Sequence, residues 1–201
     1  MREGSSDMSP GLSKSTSRHR IVGVDDGAFQ IRRGAIGSAV IVAVLFHESR
    51  ISAARIGRVK VDGTDANPVL IALLKTLAYD VVMLSGISFG GFNLVDIKRL
   101  SGETGKPVIV VIGGRPNNTA VRQALRGHFE DWKQRWRIVR KAGSLYSCRP
   151  LVKEPKVYFE VKGCSPSFAR KLIASSSMIS RLPEPIRVAG LLARGLAPLV
   201  G

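Results

Sequence analysis

The chain has 201 residues and a mass of 21.7 kDa, one domain's worth of protein, with 44% hydrophobic and 23% charged residues. That is enough apolar material for a core, and two cysteines exclude both a disulfide scaffold and a four-cysteine zinc site. Lys and Arg number 31 against 15 Asp and Glu, a net charge of +16, and residues 113–201 hold seventeen of the basic groups and five of the acidic ones; such a surface attracts polyanions, nucleic acid before anionic lipid.

Residues 1–19 are rich in Ser, Gly and charge and read as a disordered tail, with one domain over 20–201. The start lacks the apolar stretch of a signal peptide, and no apolar run nears the roughly 18 residues of a membrane span, so the sequence reads as cytoplasmic. The domain opens on a β-rich run, Ile21–Asp25, closed by the turn signal Asp25-Asp26-Gly27. Ser38–His47 is apolar enough for a strand buried on both faces. Arg50–Val61 reads as a third strand, closed by Asp62-Gly63-Thr64-Asp65. These residues also offer an N-cap for a helix that runs to about Ala78, with Pro68 in its first turn.

Val81–Leu84 is a further buried strand, followed by the Gly-rich loop Ser85–Phe92 and a short helix over Asn93–Ser101. Pro107–Ile112 is the next strand. Asn117 or Asn118 then caps one long helix to about Lys141, with Val121, Leu125, Trp132, Trp136 and Val139 near helical spacing. Strand-like pieces at Gly143–Cys148 and Lys156–Val161 precede a helix capped by Ser165, and Pro183-Glu184-Pro185 leads into a last apolar helix, Ile186–Leu196. Three strands in meander followed by βα units imply an α/β fold, a mixed sheet flanked by helices in the ribonuclease-H-like order.

Three places carry chemistry. Asp25, Asp26, Asp62 and Asp65 end strands, where an α/β sheet opens its crevice, and carboxylates meeting there hold Mg²⁺ or Mn²⁺. Asp is equally a turn former and N-cap, and both Asp-Gly pairs fit that use. The loop Ser85–Phe92, with Gly86, Gly90 and Gly91, lets a ligand approach the backbone or simply makes a tight turn; it is neither a P-loop nor a dinucleotide fingerprint. Arg122, Arg126, Lys133, Arg135, Arg137, Arg140 and Lys141 lie on the basic helix and reach phosphates or form a solvated face. Trp132 and Trp136, four residues apart, stack on bases or enter the core. Among the histidines, His47 sits at a strand end, where it could meet the acids.

Ile21-Val22-Gly23-Val24-Asp25-Asp26-Gly27, Val61-Asp62-Gly63-Thr64-Asp65-Ala66, the run from Val82 to Asp96 with its Gly-Phe-Asn, Pro107–Val111 and Pro183-Glu184-Pro185-Ile186-Arg187-Val188-Ala189 together resemble an archaeal family of endonuclease-V-like proteins that includes a deoxyuridine endonuclease. The resemblance spans residues 20–197. It implies a ribonuclease-H-like fold and a metal-dependent nuclease acting on DNA with a deaminated or uracil-type base. By this resemblance Asp25 and Asp62 are catalytic and hold Mg²⁺ or Mn²⁺. Ser85, Gly86, Gly90, Gly91 and Asn93 form the lesion or phosphate loop, and Arg115, Arg122, Arg126, Lys133 and Arg137 hold the nucleic acid. The family's third acid falls at Ser85, and its late histidine at Gly190; this chain has neither. Three readings follow: a DNA endonuclease of repair, a nucleic-acid-binding protein of the same fold with impaired catalysis, and a nucleotide-binding regulator.

Overall fold

The computed structural model describes residues 18–28 and 37–199. The tail read over 1–19 lies, as far as residue 17, outside the described residues. Nine strands are described: β1 Ile21–Asp26, β2 Ser38–His47, β3 Arg50–Lys60, β4 Val81–Leu84, β5 Ser88–Phe89, β6 Asn93–Leu94, β7 Val108–Ile112, β8 Tyr146–Cys148 and β9 Val157–Lys162. Six α-helices accompany them: α1 Ala66–Leu74, α2 Ile97–Thr104, α3 Asn118–His128, α4 Trp132–Lys141, α5 Pro166–Ser176 and α6 Glu184–Leu196. No helix among the described residues is long and apolar enough to cross a membrane.

The main sheet has seven strands in the order β3-β2-β1-β4-β7-β9-β8. Strands β1, β4 and β7 run parallel at its centre, and β2, β3, β8 and β9 pair antiparallel. The expected mixed α/β sheet flanked by helices is therefore what the chain forms. Alternation along β1 sends Val22 and Val24 to one face, packed with Leu70, Leu74, Phe89, Ile97 and Leu100 of α1, the β5–β6 hairpin and α2. Ile21 faces the other side with Ile173 and Ile186 of α5 and α6. Strand β2 is covered on both faces, so its run from Ala39 to Phe46 needs no polar alternation. Each fully buried Leu, Ile or Phe contributes about 2 kcal/mol by leaving water.

Three elements differ from the sequence reading. The helix expected over Asn93–Ser101 is α2, starting at Ile97: Asp96 caps it by accepting from the N–H groups of Lys98 and Arg99, and Gly105 ends it in the left-handed region. The helix expected to reach Ala78 ends at Leu74. The long basic helix is two helices, α3 and α4, broken where Phe129 turns to extended backbone. Its ring packs edge-on against Phe92 at 5.6 Å, and the Arg135 guanidinium lies over it at 4.3 Å. That tertiary site outweighs helix continuity.

On β9, Glu160 is half-buried with Lys162 two residues along. Burial pushes its carboxyl up to about 7, against the pull of Lys162. Its folded pKa exceeds its unfolded one, so the stability it contributes is complete below about 4.5 and is lost as pH rises through 7. Glu160→Gln should therefore stabilise the protein by about 1–2 kcal/mol at pH 8, after solvent screening, and by much less at pH 5. Urea midpoints at the two pH values measure this; an equal change at both would refute it.

Candidate active site

Because β1 and β4 are parallel neighbours, their C-terminal ends open on the same side of the sheet. The Ser85 N–H donates to the Val24 carbonyl at 3.1 Å, carrying the ladder one residue past β4 and placing the Ser85 side chain beside Asp25. The Ser85 hydroxyl donates a hydrogen bond to Asp25 Oδ1, which also accepts the Asp26 N–H at 3.0 Å. The other carboxylate oxygen faces α6: a Cβ built on Gly190 would stand 2.3 Å from Asp25 Oδ2 and 3.1 Å from an Arg194 Nη1. Gly190 is thus the wall of the site, and only the lack of a side chain there leaves room for Asp25. Burial raises the Asp25 carboxyl above its ordinary range; the Ser85 bond, the Asp26 amide and the charge of Arg194 pull the other way.

Asp26, the next residue, points to the opposite face and accepts the Gly90 N–H at 2.6 Å. Burial and the neighbouring Asp25 charge raise its carboxyl too, against the Gly90 bond. Asp62 sits at φ +56° in the turn after β3; its Oδ1 accepts the Phe92 N–H at 2.8 Å, and its own N–H donates to Gly90 O at 2.8 Å. The Gly-rich loop is therefore clamped from two sides by acids. Gly90 and Gly91 have φ of +52° and +84°, and a Cβ on Gly91 would stand 2.3 Å from Asp62 Oδ1, so the clamp requires glycine. Gly86, by contrast, has open space: a Cβ there meets nothing nearer than the Ser88 N at 4.0 Å. This is where the backbone is approachable.

Asn93, read from sequence as part of the ligand loop, has a side chain closed to any ligand. It is fully buried, accepts the Ala66 N–H at 2.9 Å, and donates to Lys60 O at 2.9 Å and to Asp65. It thereby caps α1, whose own N-cap residue Asp65 makes no side-chain cap bond. Asp25 and Asp62 are not brought into one hydrogen-bonded group; Asp25 turns to Ser85 and α6, Asp62 to Phe92. Among the described residues no three His, Cys, Asp or Glu gather as a metal-holding group. The hard-oxygen donors present, the Asp25 carboxylate and the Ser85 hydroxyl, are of the kind that Mg²⁺ or Mn²⁺ takes, but they do not by themselves enclose an ion. Burial raises the thiols of Cys148 and Cys164, so neither is activated as a nucleophile.

The basic residues divide. Arg122, Arg126, Lys133 and Arg137 are exposed on α3 and α4, and Arg115 is exposed in the turn between β7 and α3. Arg122 lies over the Trp136 ring at 5.9 Å and Arg126 over Trp132 at 5.4 Å, which ties the two helices together. Arg135, grouped by sequence with the phosphate contacts, is 7% exposed and turned inward. Its guanidinium donates to Phe92 O at 2.7 Å, Asp62 O at 2.9 Å and Gly63 O at 3.0 Å, and its Nε to Asp131 at 2.8 Å. It fastens α4 to the loop clamp. The legible signal for it is the (i, i+4) spacing of Asp131 and Arg135.

Comparison with known proteins bears on this arrangement. The family model described as endonuclease dU matches residues 17–197. A UPF0215 protein of Thermococcus gammatolerans is 38% identical over 179 residues, 87% of this chain and 90% of its own length. A crystal structure of a protein of unknown function from Archaeoglobus fulgidus superposes with a TM-score of 0.77 at 29% identity, covering 91% of this chain and 99% of that one. Endonuclease V of Ciona intestinalis, solved with a 24-mer DNA containing an inosine followed by a ribo-adenosine, superposes with a TM-score of 0.56 at 16% identity, covering 91% and 87%. That last likeness is one of fold.

Proposed function

This chain belongs to the endonuclease dU family, and from that premise we propose that it cleaves DNA at a uracil or other deaminated base with Mg²⁺ or Mn²⁺ as cofactor. The observation that carries the reading is the junction of Asp25 and Ser85 at adjacent parallel strand ends, next to the start of the Gly-rich loop. Asp25, with Ser85, is the group that would hold the ion. The chemistry such an ion supplies is activation of a water and neutralisation of charge on the phosphodiester. The rest falls to the chain. Ser85 fixes the rotation of the Asp25 carboxylate by donating a hydrogen bond to Oδ1. Asp26 and Asp62 hold the loop so that the backbone at Gly86 can meet the lesion. Arg122, Arg126, Lys133 and Arg137 hold the phosphate backbone.

The test is a labelled duplex carrying one deoxyuridine or one deoxyinosine, incubated with Mg²⁺, Mn²⁺ or chelator, with Asp25→Ala alongside. Metal-dependent nicking near the lesion, lost in the variant, is the expected result. If each of the four named cations neutralises one phosphate, the logarithm of the binding constant should fall against that of salt concentration with a slope of about −3 to −4. A second reading, DNA binding with impaired hydrolysis, is favoured by the hydroxyl at Ser85 and the bare Cα of Gly190 on either side of Asp25. It predicts the same salt slope without nicking by folded protein.

A further inference from the structure

The outer face of α4 carries, among cations that suit a phosphate backbone, an aromatic ring that backbone contacts do not need. Lys133, Trp136, Arg137, Arg140 and Lys141 line an open depression of about 450 Å³. It is an open hollow along one helix face, which a strand can lie across and which does not enclose a ligand. Four of the five lining residues are cations. Lys133 with Arg137 and Arg137 with Lys141 are like charges four apart, a spacing that destabilises a helix unless an anion sits among them. The acids nearby offset one of them: Asp131 is engaged by Arg135, and Asp96 pairs with Lys141 at 3.8 Å. The Trp136 ring is only partly buried between these charges. An indole kept at the surface of a cationic hollow suits a ligand with negative charge and a flat ring.

We propose that this depression binds single-stranded nucleic acid, with an unpaired base stacked on Trp136 and its phosphates on Lys133, Arg137 and Arg140. The proposal rests on the DNA reading above and extends it to unpaired strand. Phosphates alone would account for the cations; the Trp136 ring, which carries the Arg122 guanidinium at 5.9 Å, keeps further exposed surface that suits a base, and bases inside a duplex are already stacked on one another. Stacking on an aromatic side chain is available to any unpaired base and is largely indifferent to sequence. The neighbouring residue Arg135 ties this helix to the carbonyls of Asp62, Gly63 and Phe92, so a strand held here is held in a fixed relation to the Gly-rich loop.

The protein provides its own probe, since Trp132 and Trp136 are its two tryptophans. In Trp132→Phe, emission reports Trp136 alone. Titration with a 12-residue oligothymidylate should quench that emission, whereas heparin, a polyanion without bases, should bind and leave it nearly unchanged. Trp136→Ala should weaken oligothymidylate binding by about 5- to 100-fold, as loss of one stacked base does, and Trp136→Phe should restore most of it. Equal quenching by heparin, or unchanged oligothymidylate affinity in a folded Trp136→Ala protein, would overturn the proposal. So would tight binding to vesicles of anionic lipid without binding of the oligonucleotide. Nicking of the uracil duplex is scored separately: quenching without nicking refutes the nuclease reading alone, and nicking without quenching refutes this one alone.

Discussion

Arg135→Met should cost about 3–5 kcal/mol of stability, the largest loss expected from any single charged residue among the described residues. Methionine fills much of the same volume but leaves the carbonyls of Asp62, Gly63 and Phe92 and the carboxylate of Asp131 without their donor. The three carbonyls face a residue that is 7% exposed, so water replaces those bonds poorly, while the Asp131 carboxylate, 34% exposed, regains water. The Phe129 ring also loses the cation over its face. Arg135→Lys should fall between the two, near 2 kcal/mol, because an ammonium cannot present the planar fork that meets three carbonyls at once. The loss should be local before it is global. Amide exchange should accelerate first in the Gly-rich loop and at the α3–α4 break, since Arg135 is the rivet between them. A urea midpoint change worth under 1 kcal/mol for the methionine variant would show that the guanidinium is dispensable.

Arg135 also shows what this sequence can and cannot reveal. The α/β sheet is legible, because β2 and β4 are apolar runs too short for buried helices and too continuous for exposed strands. Ser165 before Pro166 is legible as a cap for the same reason any capping signal is: donor, acceptor and spacing are all local, and its hydroxyl does accept from the Phe168 N–H. What escapes is each feature made by residues distant in the chain. Asn93 caps a helix that starts 27 residues before it. The break between α3 and α4 has no proline to announce it; it exists because Phe129 finds Phe92 and Arg135. Asp25 and Ser85 are 60 residues apart and meet only because β1 and β4 are parallel neighbours. Asp62 is legible as a turn residue with a carboxylate, and periodicity cannot say that the carboxylate is spent on the Phe92 N–H.

Gly23→Ala should cost about 3 kcal/mol or more, through backbone that cannot give way. A Cβ on Gly23 would lie 2.0 Å from the carbonyl carbon of Pro185, 2.2 Å from its oxygen and 2.4 Å from the Ile186 nitrogen. Ordinary carbon contacts near 3.5–4.0 Å would require α6 to retreat from β1 by about 1–2 Å. The retreat matters beyond stability, because α6 also carries Gly190 and Arg194 past Asp25. Lifting this wall would admit water to Asp25, and the burial that raises its carboxyl would weaken. Its pKa should then move down toward the ordinary carboxylate range, a change that a carbon-13 titration of the aspartate carboxyls can follow. Gly102→Ala in α2 is the internal control: a Cβ there meets nothing within 4 Å, so the variant should gain about 0.5–1 kcal/mol from helix propensity. If Gly23→Ala were as stable as that control, α6 would be free to slide on the sheet, and Gly190 could not be the fixed wall that holds Asp25 against Ser85.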